Sequence, residues 1–390
     1  MSNKLIKILI NFIKFNLIKK DDKLLCFYSE NLASLDYFQP ILRVLWLEHK
    51  KRVVYITSDE IEYHLLKSQN GIIPIFIGFG IFRTTLFRLI NTKVLVMTMP
   101  DLETYFIKRS IYPVNYVYVH HSIVSSHMVY KPNAFDFFDT IFCVGPHHIK
   151  EIRAWENLNK LKQKKLVLHG YGKLDTLIIT QKSLKNVSTR KSHIKVLIAP
   201  SWGKNSIIER HGGNFIKLLL ENNFQVILQP HQQTRYYNSN VLNLIEKKYE
   251  GIENFILEKN GYSMESILNS DILITDWSGI AMEFAFTKLK PVLFVDVPKK
   301  INNPTYKNIE IDPIEIFIRQ EIGIIMPETE LDEMTKYIYL LLNYSKTYEE
   351  KIKVMRNNSI FNIEKSGNAG AKEIMNLLNE KNCDGANYII

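Results

Sequence analysis

The polar residues with the most chemical promise lie together in Ser270-Asp271-Ile-Leu-Ile-Thr275-Asp276-Trp277-Ser278-Gly279-Ile-Ala-Met-Glu283. Ile272 to Thr275 reads as a buried strand, and Asp276 follows at its carboxyl end, where open α/β sheets bind ligands. Ser278 and Gly279 then open a helix, whose free N–H groups favour an anion, and glycine permits close backbone approach. Glu283 stands one turn further on, within reach of a ribose hydroxyl. A helix cap needs one such residue, whereas this turn supplies Thr275, Asp276, Ser278 and Gly279 together. The pattern predicts a phosphate and nucleotide site.

Two histidines extend the chemistry. His231 follows the strand Gln225 to Leu228, where an imidazole can donate to a diphosphate or protonate a leaving phosphate. His120 and His121 end a strand from Tyr116 to His120 and are followed by Ser122, Ser125, Ser126 and His127. Strand alternation sends neighbours to opposite faces, so at most one of the pair points straight into a cleft. His121, the first residue past the apolar run, is the candidate base for an attacking hydroxyl. His147 and His148, after Gly145-Pro146, read as capping or surface residues.

Two turns complete the set. Gly170-Tyr171-Gly172-Lys173-Leu174-Asp175 offers Lys173 to a phosphate, and Pro200-Ser201-Trp202-Gly203-Lys204 offers the hydroxyl of Ser201 and backbone N–H groups beside Trp202. No cluster has metal-ligand spacing, so no built-in metal is expected. A Walker motif, a Gly-rich dinucleotide fingerprint and His-Glu-x-x-His are all absent, which argues against hydride transfer and P-loop phosphotransfer.

The elements that must hold these residues are short apolar runs alternating with amphipathic stretches. Leu24 to Tyr28, Arg52 to Thr57, Ile73 to Ile77, Lys93 to Met97, Tyr116 to His120, Thr140 to Val144 and Leu166 to Leu168 form one strand series. Val196 to Ala199, Gln225 to Leu228, Phe255 to Leu257, Ile272 to Thr275 and Val292 to Val295 form a second. Continuous apolar strands separated by helices imply parallel sheets covered on both faces. The expected fold is α/β, with two doubly wound Rossmann-like domains facing a central cleft. The expected domains are an amphipathic basic helix (1–22), an acceptor domain (23–180), a nucleotide-donor domain (190–345) and a helical tail (346–390). The polar stretches 155–165 and 181–193 mark the hinge.

Bulk properties agree with a soluble-type core in two domains. The chain has 390 residues, and its 46% apolar fraction excludes disorder. Cys26, Cys143 and Cys383 are widely separated, which excludes a disulfide framework and fits a reducing compartment. The net charge of +10 favours anionic partners. Basic residues are scattered and no aromatic-basic nucleic-acid motif occurs, so a phosphate-bearing substrate is expected and nucleic acid is not. Residues 4–20, KLIKILINFIKFNLIKK, place Leu5, Ile6, Leu9, Ile13 and Leu17 at helical spacing. Lys7 and Lys14 interrupt the roughly 20 apolar residues that a bilayer span needs. The segment is therefore either an interfacial helix on an anionic membrane surface or a helix packed on the first domain.

The order of these motifs resembles the CDP-glycerol glycerophosphotransferase family, the teichoic-acid primases and polymerases, over roughly residues 110–300. That family carries Ser-Asp-x-Leu-Ile-Thr-Asp-Tyr-Ser-Ser, an acidic residue and then Lys-Pro before a strand, and this chain has SDILITDWSGIAMEFAFTKLKPVLFVD. Its Pro-Thr-Trp turn looks like Pro200-Ser201-Trp202, its two histidines match His121 and His231, and its Gly-x-Pro-Arg-x-Asp looks like Gly170 to Asp175. The resemblance implies a GT-B-like transferase in which an acceptor hydroxyl attacks the β-phosphate of CDP-glycerol, with His121 as base and CMP leaving. His231 and the Ser278 turn would hold the diphosphate and Glu283 the ribose. It implies no cofactor beyond the donor itself, CDP-glycerol or another nucleotide-activated compound. It also implies a lipid-linked or oligosaccharide acceptor, and a peripheral location on the inner face of the cytoplasmic membrane. Departures fall at the contacts: Trp-His-Gly-Thr is His120-His121-Ser122-Ile123, His-Pro is reversed to Pro230-His231, Pro-Arg is Gly172-Lys173, and Tyr-Ser-Ser is Trp277-Ser278-Gly279. Two rivals keep the fold. A glycosyltransferase using a CMP- or UDP-sugar would enlist a carboxylate base such as Asp136 or Asp139. A nucleotide-sugar 2-epimerase would carry an Asp-Ser-Gly-Gly turn much like Asp276-Trp-Ser-Gly. A membrane-associated scaffold would bind no nucleotide.

Overall fold

The computed structural model describes residues 3–104, 107–184, 193–259 and 263–380. Cys383 lies outside them. The chain divides into two compact units: Met1–His121, Tyr130–Thr176 and Ile360–Ile390 form the first, and Ser122–Val129 and Leu177–Ser359 form the second.

In the first unit seven strands run parallel: β1 (Leu25–Ser29), β2 (Val53–Thr57), β3 (Ile72–Phe76), β4 (Val94–Met97), β5 (Asn115–Val119), β6 (Thr140–Cys143) and β7 (Lys165–Leu168), in the order β3-β2-β1-β4-β5-β6-β7. β1, β2 and β4 are buried along their whole length, because helices cover both faces of the sheet. One face packs Phe27, Tyr55, Val96 and Val117 against Phe38, Ile41 and Leu45 of helix Leu35–Leu47. Ala371, Ile374 and Leu377 of the C-terminal helix Ser366–Asn379 join that core. The edge strand β3 is covered by helix Asn3–Leu17: Ile8 and Phe15 are buried, and the Asn11 side-chain oxygen accepts from the Phe76 N–H at 3.2 Å. Its other face leaves Ile6, Leu9, Ile10, Ile13 and Leu17 exposed.

The second unit holds a six-stranded parallel sheet of β8 (Lys195–Ile198), β9 (Gln225–Leu228), β10 (Phe255–Leu257), β11 (Ile272–Thr275), β12 (Val292–Asp296) and β13 (Gly323–Pro327), ordered β10-β9-β8-β11-β12-β13. Strand order reverses between β8 and β11, and in open α/β sheets the ligand crevice lies outside the carboxyl ends at that point. The first sheet reverses likewise between β1 and β4.

The predicted strands are all present within one or two residues, but β13 was absent from the expectation. Its five residues end in proline, a pattern that does not announce a strand. Gly323 pairs with Val292, and a Cβ there would come within 1.9 Å of the Val292 carbonyl oxygen, so only glycine admits the strand. The polar stretch from residue 155 begins inside helix Pro146–Leu158, and that from 181 inside helix Gly172–Leu184. The tail consists of helices Met334–Asn343, Ser345–Ser359 and Ser366–Asn379.

Candidate active site

In the second unit the predicted residues gather at the switch point. β8 and β11 end side by side, with Ile198 opposite Ile274, so the 200–207 loop and the Asp276 turn are neighbours. Asp276 is fully buried, and its two carboxylate oxygens accept from the N–H groups of Ser201 at 2.7 Å and Ile207 at 3.1 Å. Burial raises its pKa, and the backbone donors act against that rise. Its carboxylate is thus engaged in shaping the loop. Glu209 adds a second brace, accepting the Gly203 N–H at 3.0 Å.

Trp277 turns inward. Its indole N–H donates to the Val297 carbonyl at 2.8 Å, and the buried Arg319 guanidinium lies 3.9 Å from its ring centroid. Ser278 and Gly279 remain partly exposed at the start of helix Ile280–Lys288, and Glu283 is buried one turn in. A Cβ on Gly279 would lie 2.8 Å from the Ser122 hydroxyl and 3.2 Å from Val124, so glycine is what lets the 122–129 segment pack there. Glu315 fastens that segment by accepting from the Ser125 hydroxyl at 2.7 Å and its N–H at 2.9 Å.

His231 is exposed and caps helix Gln232–Tyr237: its Nδ1 accepts from the Gln233 N–H at 3.1 Å. The neutral ring therefore carries its proton on Nε2, the nitrogen that can act as a donor. Trp202 lies beside it, ring centroids 6.1 Å apart, with Tyr237 stacked at 6.0 Å and the Lys300 ammonium 4.2 Å from the Trp202 centroid.

The first unit holds His121. Its Nδ1 lies 3.0 Å from the Thr98 carbonyl oxygen and 3.0 Å from the Tyr118 hydroxyl. A carbonyl only accepts, so the ring proton is on Nδ1 and Nε2 carries the lone pair, which accepts from the Tyr130 hydroxyl at 3.4 Å. Tyr171 donates to the His121 backbone carbonyl at 3.1 Å and fixes the main chain. Burial pulls the His121 pKa down to about 4, the Thr98 bond opposes this, and the Lys173 charge adds to the fall. Lys173 is buried in the first unit, with its ammonium 5.6 Å from the Tyr37 ring centroid. Asp175 accepts from the N–H groups of Glu364 and Ser366 at 2.6 and 2.8 Å, so it ties down the start of the last helix.

His120 and His121 follow the end of β5, and both rings pack against Tyr118 and Tyr130. His120 is buried and stacked on His148 at 3.8 Å, with neither ring nitrogen hydrogen-bonded. His148 is itself fully buried, so it is not a surface residue, and its Nδ1 accepts the Val144 N–H at 3.3 Å next to the N-cap of helix Pro146–Leu158. Asp136 takes the Trp155 indole N–H at 2.9 Å, and Asp139 takes Arg109 at 2.9 Å and the Tyr116 N–H at 2.8 Å.

Sequence reasoning missed Lys300, Tyr130 and the Thr98 carbonyl. Lys299-Lys300 just beyond a buried strand was a usable signal. Tyr130 lies nine positions from His121 in an irregular stretch, and a backbone carbonyl leaves no trace in residue type. Among the described residues no group of three His, Cys, Asp or Glu is placed to hold a metal, and no helix is long and apolar enough to cross a membrane.

Comparison with known proteins agrees with this architecture. The wall teichoic acid polymerase TagF, solved after a soak with CDPG, superposes with a TM-score of 0.58 at 14% identity, covering 96% of this chain and 93% of that one. The UDP-GlcNAc 2-epimerase from Neisseria meningitidis gives 0.59 at 15% identity, covering 91% and 99%. The MnaA–UDP structure from S. aureus gives 0.56 at 14%, covering 92% and 98%. These likenesses establish the GT-B-like fold. No curated protein matches in sequence. The family described as CDP-glycerol:poly(glycerophosphate) glycerophosphotransferase matches residues 12–301, most of the chain. With that extent of match, the protein belongs to the CDP-glycerol glycerophosphotransferase family and is a transferase of that type.

Proposed function

We propose that the enzyme transfers glycerol phosphate, or a related polyol phosphate, from a CDP-activated donor to a hydroxyl of a membrane-linked surface-polysaccharide acceptor. The acceptor oxygen attacks the β-phosphorus and gives its proton to Nε2 of His121. The new P–O bond forms as the bond to the bridging oxygen breaks, and CMP departs. His231 donates through Nε2–H to the diphosphate, the Ser278–Gly279 turn presents backbone N–H groups, and Glu283 binds the ribose. Asp276 acts through the Ser201 loop and is a positioning residue.

The observation that carries this reading is the fixed tautomer of His121, with the Thr98 carbonyl on Nδ1 and a lone pair on Nε2. Burial keeps the ring neutral, which is the form a base needs, and an arriving diphosphate raises its proton affinity again. The carboxylates a sugar-transfer mechanism would enlist, Asp136 and Asp139, are already engaged with Trp155, Arg109 and a backbone amide. The membrane part of the proposal draws on helix Asn3–Leu17, whose outer face is apolar and flanked by lysines. It would seat the enzyme peripherally on the inner face of the cytoplasmic membrane.

Turnover of CDP-glycerol by His121→Ala tests the base. Loss of general-base catalysis lowers kcat by about 10²- to 10⁴-fold, with CDP affinity held within about twofold. A drop in kcat below tenfold would reject His121.

A further inference from the structure

Lys300 leaves β12 four residues beyond Asp296 and is only partly exposed. Its ammonium lies 4.2 Å from the Trp202 ring centroid. The carboxylates whose charges act on it are Asp276 and Glu209. Both have their oxygens committed elsewhere: Asp276 to the Ser201 and Ile207 N–H groups, Glu209 to the Gly203 N–H at 3.0 Å and the Asn238 side-chain amide at 3.4 Å. Lys300 is thus drawn to the donor turn by two negative charges and steadied by an aromatic face. A partly desolvated cation in that position is costly unless an anion completes its surroundings.

We infer that Lys300 is a donor-phosphate ligand: its ammonium, steadied on Trp202, contacts the diphosphate of the activated donor and takes up negative charge as the nucleoside monophosphate departs. This rests on the glycerophosphotransferase reading of the same site. The ammonium keeps its proton throughout. When the bridging P–O bond breaks, the electron pair stays on the oxygen of the departing phosphate, and a fixed cation there lowers the energy of that charge more in the transition state than in the ground state. The platform suits the task because the 200–207 loop that carries Trp202 is pinned at both ends by Asp276. A lysine with three donors can keep ring contact on one side and reach phosphate oxygens on the other.

Calorimetric titration of the full chain with CDP and with uncharged cytidine, using wild type, K300M and K300R, tests the inference. K300M should bind CDP at least tenfold more weakly and cytidine unchanged, while K300R keeps CDP affinity within a few fold. A second readout is pH. Burial lowers the Lys300 pKa to about 8, so wild-type CDP affinity should fall by up to about tenfold between pH 7 and 9, and K300R should abolish that fall. The other titratable groups around the platform are Asp276 and Glu209, His231 and Tyr237 beside Trp202, and Lys299; all of them remain in K300R. K300M with wild-type CDP affinity overturns the inference and leaves the glycerophosphotransferase reading standing. K300M that loses cytidine and CDP alike also overturns it, since that loss reports on shape and not charge. Wild type that binds neither CDP nor CDP-glycerol removes the underlying reading as well.

Discussion

The two units present their functional groups in opposite ways. In the second, the buried group is a carboxylate and the working groups are out in the open: Asp276 is sealed beneath the loop it shapes, while His231 is exposed and Ser278 and Gly279 are partly so. In the first, the working group is a half-buried ring, and a backbone carbonyl and two tyrosines set its state. The difference follows from the chemistry each is asked to do. Anion binding needs many outward donors on a loop that cannot collapse, whereas a base needs one lone pair kept neutral and aimed. An open site tolerates loss of one donor; a sealed brace does not.

The comparison breaks most visibly at the brace. Asp276→Ala leaves the Ser201 and Ile207 N–H groups without acceptors in a buried position. At about 1–3 kcal/mol for each unsatisfied group, a loss near 3 kcal/mol is expected in urea unfolding, with CDP affinity falling together with stability. A matching Ser278→Ala, which removes one outward hydroxyl, should change stability by less than about 0.5 kcal/mol. Equal losses in the two variants would mean that Asp276 is not a brace.

That division also explains what the sequence could show. The strand series of both units was readable because each strand is a continuous apolar run, and the turn at Asp276 stood out against it. What could not be read was the direction in which Asp276 spends its oxygens, since a carboxylate at a strand end looks the same whether it meets ligand or backbone. Lys173 was read as a phosphate ligand from its place after Gly172; its burial, with the ammonium 5.6 Å from the Tyr37 ring centroid, depends on packing that residue type does not encode. His148 was misjudged because a histidine pair after Gly-Pro suggests a surface turn, while its burial depends on stacking with His120 from another element. β13 was hidden by its brevity and its proline, and is held by pairing with β12 that no local pattern encodes.

Acid sharpens the contrast between the units. Burial holds His169 and His121 of the first unit at about 4, below the ordinary value of 6.5. Their folded forms exclude the proton, so the unfolded chain binds more protons, and their contribution is fully present above pH 6.5 and is lost as pH falls toward 4. Asp175, raised to about 6 by burial, works in the opposite direction, contributing only as pH drops below 6. Denaturant titrations at pH 7.5, 6 and 5 should show falling stability, with His169 alone accounting for on the order of 2 kcal/mol. His169→Gln should flatten that fall, and an unchanged slope would remove burial of His169 as its cause.

A loss smaller than that at the brace is expected at Gly279, where the open site comes closest to being sealed. A methyl group there meets the Ser122 hydroxyl at 2.8 Å and Val124 at 3.2 Å. Gly279 is the N-cap of helix Ile280–Lys288 with an ordinary right-handed backbone, φ −62°, so alanine costs nothing in main-chain strain. The loss comes from overpacking alone, about 1 kcal/mol, because the Ser122 side chain can rotate away whereas the Val124 methyl has less freedom. Gly279→Ala should therefore melt within a few degrees of wild type, and Gly279→Ala with Ser122→Ala should recover part of the difference. If the double variant shows no recovery, the methyl is opposed by Val124, and Val124→Ala becomes the partner that restores it.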